Sequence, residues 1–247
     1  SRALFLKKRI AVARLGDIGS IDDVPFQRDE ELVRKAGGEE RVTEMVVTEL
    51  HRTGRFDIVE RKDIEGVLRE LKFGESRWVD KAAATKAGEV LGAQCIVMAS
   101  VGRLDGGSIA AFLRMVDVAT GRITAAVVGT GPDTAGAVVA AVDNLVKASA
   151  QTPWVGRIAK VTERDGKTEI VIDAGSDLGL KPEDVFAVFS LGDPIKAPDS
   201  DRVIGYEEKG AGLVRVVTVR ERYSIAEPVE LTGPVKPGDL VRPALEQ

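Results

Sequence analysis

The sequence predicts an α/β (α+β) protein: a mixed β-sheet flanked by helices over residues 1–152, followed by a small all-β, barrel-like domain over 153–247. Three observations predict it. Residues 53–64, T-G-R-F-D-I-V-E-R-K-D-I, pack a helix stop, a short strand and a new helix start into one stretch. Residues 93–104 are apolar nearly throughout, as in a strand covered on both faces. Around Gln151-Thr152-Pro153 helical periodicity ends, and short alternating strands between Gly, Pro and Asp turns take over.

Each element follows from local pattern. Residues 9–15 alternate imperfectly and read as a strand, followed by a Gly- and Asp-rich loop to about Gly38. Val42, Met45, Val46 and Leu50 share one helical face, and Gly54 suits the left-handed position that closes a helix. Phe56, Ile58 and Val59 form a brief strand. Asp63 then caps a helix whose apolar stripe is Ile64, Val67, Leu68 and Leu71. Asp80 caps a small Ala-rich helix ending at Gly92. After the strand 93–104, a tight reversal at 105–108 leads to strands 110–118 and 122–128. The helix Thr134–Ala150 turns Val138, Val142 and Leu145 inward. The sheet so assembled has four or five strands.

The second domain reads as a partly open barrel, with strands such as 168–172 and 214–220. It contains an echo: G-L-K-P-E-D-V at 179–185 resembles G-P-V-K-P-G-D-L at 233–240. Proline presets the second turn position and Asp binds turn amides before a strand begins. One turn used twice is too little to predict a repeat fold.

Composition excludes several function classes. The net charge is −4, and residues 153–247 account for all of it with 17 acidic against 13 basic side chains. No basic field is present to hold a nucleic acid. The lone Cys95 lies in an apolar run and reads as a buried small hydrophobe. The lone His51, beside Arg52, reads as a helix-end partner of the dipole. No metal site and no cofactor site are predicted. Gly16-x-x-Gly19-Ser20 lacks the ending of a phosphate loop, and Gly129-x-Gly131 lacks the rest of a dinucleotide fingerprint and reads as the exit from a strand. Asp22-Asp23, Glu39-Glu40 and Glu207-Glu208 read as solvated faces, and Asp199-Ser200-Asp201 as a turn. No catalytic residue is predicted. No apolar run reaches the length of a transmembrane helix, and the abrupt start at Ser1 reads as a mature or trimmed form.

One cluster suggests contact rather than chemistry. Phe73 and Trp78 flank Gly74-Glu75-Ser76-Arg77. The rings either seal a helix–helix corner or, with Arg77, anchor a neighbouring subunit.

Residues 9–150 resemble the curli-production assembly/transport (CsgG-like) family through V-T-E-M-V-V-T-E-L-H-R-T-G-R-F-D-I-V-E-R-K-D-I, L-G-A-Q-C-I-V-M-A-S-V and L-R-M-V-D-V-A-T-G-R-I. Residues 154–243 resemble the last domain of the flagellar assembly T-type (FlgT-like) proteins through V-I-G-Y-E-E, G-L-V-R-V, Y-S-I-A-E and V-K-P-G-D-L-V-R-P. These resemblances imply a Gram-negative periplasmic protein working at the outer membrane, with no enzymatic activity and no cofactor. They imply partners that are copies of itself in a ring and other envelope or flagellar basal-body proteins. A curli-type secretion channel and a periplasmic regulator of an envelope enzyme are the alternatives. The short reversals at 105–108 and 129–133 leave no room for a membrane hairpin.

Overall fold

The computed structural model describes residues 6–13, 15, 27–59, 90, 92–104, 106–118, 122–164, 166–196, 198 and 203–244. The chain divides into two compact units: Lys8–Thr152, and Pro153–Gln247 together with Ser1–Lys7. Leu6 and Lys7 thus group with the second unit: Lys7 N–H donates to Leu178 O (2.9 Å), and Trp154 Nε1–H donates to Lys7 O (3.0 Å).

The first unit is built on β1 (Lys8–Val12), β2 (Gln27–Arg28), α1 (Glu30–Lys35), α2 (Glu39–Arg52), β3 (Phe56–Ile58), β4 (Cys95–Arg103), β5 (Ile109–Asp117), β6 (Ile123–Gly131) and α3 (Thr134–Ala150). Its sheet runs β3-β1-β4-β5-β6, and β2 adds a short antiparallel pair to β4. The sheet is mixed: β1 is parallel to both neighbours, with Ile10 opposite Ile58 and Cys95, whereas β4, β5 and β6 form an antiparallel meander. The first eight residues of β4 are buried, so both of its faces are covered. One face sends Cys95, Val97, Ala99 and Val101 into a core with Val46 and Leu50 of α2 and Val138, Val142 and Leu145 of α3. The other sends Ile96 and Met98 into a second cluster with Ala11, Ala110 and Phe112. Each buried Val or Leu contributes about 1.5–3 kcal/mol.

Boundaries follow local chemistry. Gly54, at φ 63°, stops α2, and its N–H donates to His51 O. Asp133 caps α3 through Gly136 N–H (2.8 Å). The expected exit at Gly129-x-Gly131 is corrected, because β6 continues through Gly131. Both glycines are there for closeness: an added Cβ would lie 2.0 Å from Ala141 N at Gly129 and 2.4 Å from Ala137 N at Gly131. The helices expected over 64–71 and 80–92 lie outside the described residues, apart from Val90 and Gly92.

The second unit contains β7 (Gly156–Arg164), β8 (Lys167–Ile172), β9 (Val185–Lys196), β10 (Val203–Val219), β11 (Ser224–Leu231) and β12 (Leu240–Pro243). It is a closed barrel, β10-β11-β8-β7-β12-β9, antiparallel at every pairing. The partly open barrel expected from sequence is therefore corrected. The closing piece is the four-residue β12, which pairs with both β7 and β9. Ile158, Ile170, Ile172, Phe186, Val214, Val216 and Val241 fill the interior, and the Trp154 ring tilts onto Phe186 at 5.8 Å.

The barrel is also internally repeated. Exchanging β7, β8, β9 with β10, β11, β12 returns the same strand order. Register agrees: Leu240 faces Arg157 as Val185 faces Arg215, and Val241 faces Gly156 as Phe186 faces Val214. Hydrogen bonds agree: Ile158 N–H donates to Asp239 O as Val216 N–H donates to Asp184 O, and Gly238 N–H donates to Ile158 O as Glu183 N–H donates to Val216 O. In the echoed turns Asp184 Oδ2 accepts from Lys181 N–H (2.8 Å), and Asp239 Oδ2 accepts from Lys236 N–H (2.9 Å). The pseudo-two-fold passes through the Ala187–Arg242 and Val171–Ile225 pairs. The sequence shows one shared turn; the structure extends it to a shared half-barrel.

Candidate interaction surfaces

The single cysteine and the single histidine lie in the α/β unit. Cys95 is buried in β4, and burial pushes its thiol up to about 12, away from the nucleophilic thiolate. His51 is exposed in the last turn of α2, where a cation suits the helix C-terminus. Among the described residues no group of three or more His, Cys, Asp or Glu side chains could hold a metal ion. Phe73, Arg77 and Trp78 lie outside the described residues, as do 16–20, Asp22-Asp23 and Asp199-Ser200-Asp201.

Charged groups that the sequence does not flag are instead used as braces. Lys8 is nearly buried at the start of β1, and its Nζ donates to Ser149 O (3.0 Å) and Thr152 O (2.9 Å) at the C-terminal end of α3. Burial holds this ammonium below the ordinary lysine range. Beside it, Arg9 Nε donates to Asp57 Oδ2 (2.8 Å), tying β1 to β3. Arg28, mostly buried, pairs with Glu30 (2.8 Å) and with Glu39. Glu39 is thus not the solvated side chain expected from sequence. Asp29 Oδ1 caps α1 through Glu31 and Leu32 N–H, while its Oδ2 accepts from Arg103 Nε (3.0 Å). The Leu32 amide bond, helped by Arg103, holds the Asp29 carboxyl below its usual range.

The barrel also carries a β-arm. In the repeat, β12 corresponds to Val185–Val188, and Gly156 corresponds to Val214. Residues 189–213, which join the two halves, therefore have no counterpart. Within them β9 and β10 pair with each other out to Lys196 and Val203, although β12 leaves β9 at Phe189 and β11 leaves β10 at Gly212. Asp193, Pro194, Ile195, Glu207 and Glu208 are exposed. A two-stranded ribbon is marginally stable by itself in water, and the register of this one is interrupted between Val203 and Gly205, between Tyr206 and Glu208 and between Gly210 and Gly212. Arg242 braces its base, lying 4.5 Å over the Phe189 ring and 2.9 Å from Glu208. Such an arm can dock.

A family model for the curli production assembly/transport component CsgG matches residues 6–108. An uncharacterized protein of Aquifex aeolicus (strain VF5) is 36% identical over 86 residues, covering 35% of this chain and 17% of that protein. The match therefore spans about a sixth of that relative's length. Among solved structures, the LpoB C-terminal domain from Salmonella enterica overlaps 51% of this chain and 83% of its own, at 17% identity and a TM-score of 0.36. Lipoprotein GNA1162 from Neisseria meningitidis overlaps 59% and 99%, at 14% identity and 0.33. TolB from Acinetobacter baumannii overlaps 93% and 50%, at 14% identity and 0.33.

Proposed function

We propose that this chain is a non-enzymatic assembly or scaffold protein of the Gram-negative envelope, working in the periplasm at the outer membrane. In this reading the α/β unit packs side by side with copies of itself, and the barrel offers its arm to a different protein. A ring around a flagellar basal body, or around a similar envelope machine, is the assembly favoured. The observation that carries the reading is the match of residues 6–108 to a family described by assembly and transport rather than by a reaction. The exposed residues of the arm and the buried thiol of Cys95 support it.

Subunit contacts of this kind bury about 1,000 Å² or more. Mass measurement of the purified chain over a concentration series, with imaging of envelopes carrying the tagged protein, tests the reading. Self-association and an envelope-bound ring are expected. A strict monomer absent from every envelope structure rejects it.

The same family description favours a second reading, a component of a secretion channel. Against it stand two tight connections. Leu104 N–H donates to Ser108 O and Gly107 N–H to Leu104 O, and β6 ends at Gly131 just before α3 begins at Thr134. A membrane-spanning strand takes about 9–11 residues, so neither connection supplies one. Liposomes loaded with the protein are expected to show no conductance; stable channels would replace the scaffold reading.

A further inference from the structure

The two ends of the α/β sheet are unlike. At one end β3 is three residues long and carries Asp57, which is bonded to Arg9. Shortness and charge are the usual guards of a sheet edge. At the other end β6 is nine residues, I-T-A-A-V-V-G-T-G, with no charge and no proline. No described strand pairs with its far side. Its register on β5 is regular from Ala125 to Gly131. Asn144 Nδ2 donates to Val128 O (2.8 Å), so the backbone at Val128 points away from β5. By the antiparallel alternation the backbone at Ala126 and Thr130 points the same way. Ile123 is 54% exposed and Val128 38%, and α3 adds Val139 at 37%.

We infer that β6 is an association edge, pairing antiparallel with β6 of a second copy across a two-fold axis to make one sheet continuous through both copies. The occupant is argued from charge. A two-fold contact sets a strand against itself, so charged residues near the axis would face like charges about 5 Å away. β6 has none, whereas the barrel arm has Asp193, Lys196, Glu207, Glu208 and Lys209 in its strands. Val128 and Thr130 are β-branched and suit cross-strand pairing. Asn144 covers one carbonyl, and that bond yields to or coexists with the new strand, since a carbonyl accepts twice. An edge contact of this size falls near the lower limit of specific interfaces, so the pair is weak, with Kd on the order of micromolar. The inference does not rest on the ring reading.

The test is sedimentation of the full chain across about 1 μM to 1 mM, around that Kd, beside Val128→Lys and Thr130→Lys. Both positions are exposed, and far-UV circular dichroism and melting confirm that each variant folds. Wild type is expected to move from one chain mass to two, and each lysine to weaken association at least about tenfold, a change of 1.4 kcal/mol. Single cysteines at Ala126, Val128 and Thr130 should form a self-disulfide at the position nearest the axis, with Cys95 buried out of reach. A monomer at the highest concentration, or association unchanged by either lysine, overturns the inference. Oligomers larger than two that ignore the lysines also overturn it while leaving a ring intact. A dimer without rings in the envelope supports it while the ring reading fails.

Discussion

Lys8 reaches a helix end 141 residues away in sequence, and its position makes a pH signature. Its folded value lies below the ordinary 10.5 because of burial. Between the two values the unfolded chain binds the extra proton, so stability rises with pH there. Denaturation of wild type and Lys8→Met at pH 7, 9 and 10.5 should show wild type gaining on the variant as pH rises; a flat or falling difference contradicts the burial penalty. A second residue-scale expectation comes from the repeat. Glu183 holds φ 73°, a positive φ unique to it among the described non-glycine residues, and its equivalent Gly238 holds φ 91°. An L side chain in that region costs about 1 kcal/mol or more. Gly238→Glu should lower barrel stability by about 1 kcal/mol, whereas Glu183→Gly should not lower it at all. The ion pair of Glu183 with Arg215, at 3.8 Å, is exposed and weak, so its loss is minor. Neither Lys8 nor Glu183 is legible in sequence, since the role of each is set by a distant partner or a dihedral angle.

Elements are more legible when one face is buried locally. The helix α3 is found where the sequence places it, because Asp133, the Ala/Val run and the inward Val138, Val142 and Leu145 all agree. The same holds for β4, whose apolar run matches its burial on both faces. The outer halves of β9 and β10 escape notice for the converse reason. Pro194 pairs with Tyr206 and Glu208 with Leu191 on either side of an irregularity that holds Gly192, Asp193 and Glu207, and the exposed residues there impose no apolar alternation. The packing of β6 on α3 gives a direct test. Gly129→Ala and Gly131→Ala each push a methyl group into helix backbone, which has no side chain to swing aside. Each should cost about 1–3 kcal/mol or more, read as a lowered thermal midpoint. An unchanged midpoint would mean that α3 lies farther from the strand.

For the whole molecule, the repeat separates what closes the barrel from what is added to it. Removing 191–208 and joining Ser190 to Lys209 by Asn-Gly keeps every pairing from Val185–Phe189 to Gly210–Arg215. That variant should fold with a thermal midpoint near wild type yet lose its place in the envelope. Collapse of the fold would make the arm a structural strand pair instead. The candidate contact residues Phe73, Arg77 and Trp78 fall outside the described chain, so the surfaces now in view, β6 and the arm, are ones that sequence periodicity does not single out. Both are defined by where strand pairing stops among the described residues, which is a property of topology.

The repeated barrel has one more consequence. Its halves hold each other through β8–β11, β9–β12, β7–β12 and β9–β10, so each lacks the strands that would seal it in isolation. A protease cut between Lys196 and Val203 would leave two fragments that complete one another, and the nicked protein should run intact until denaturant parts them.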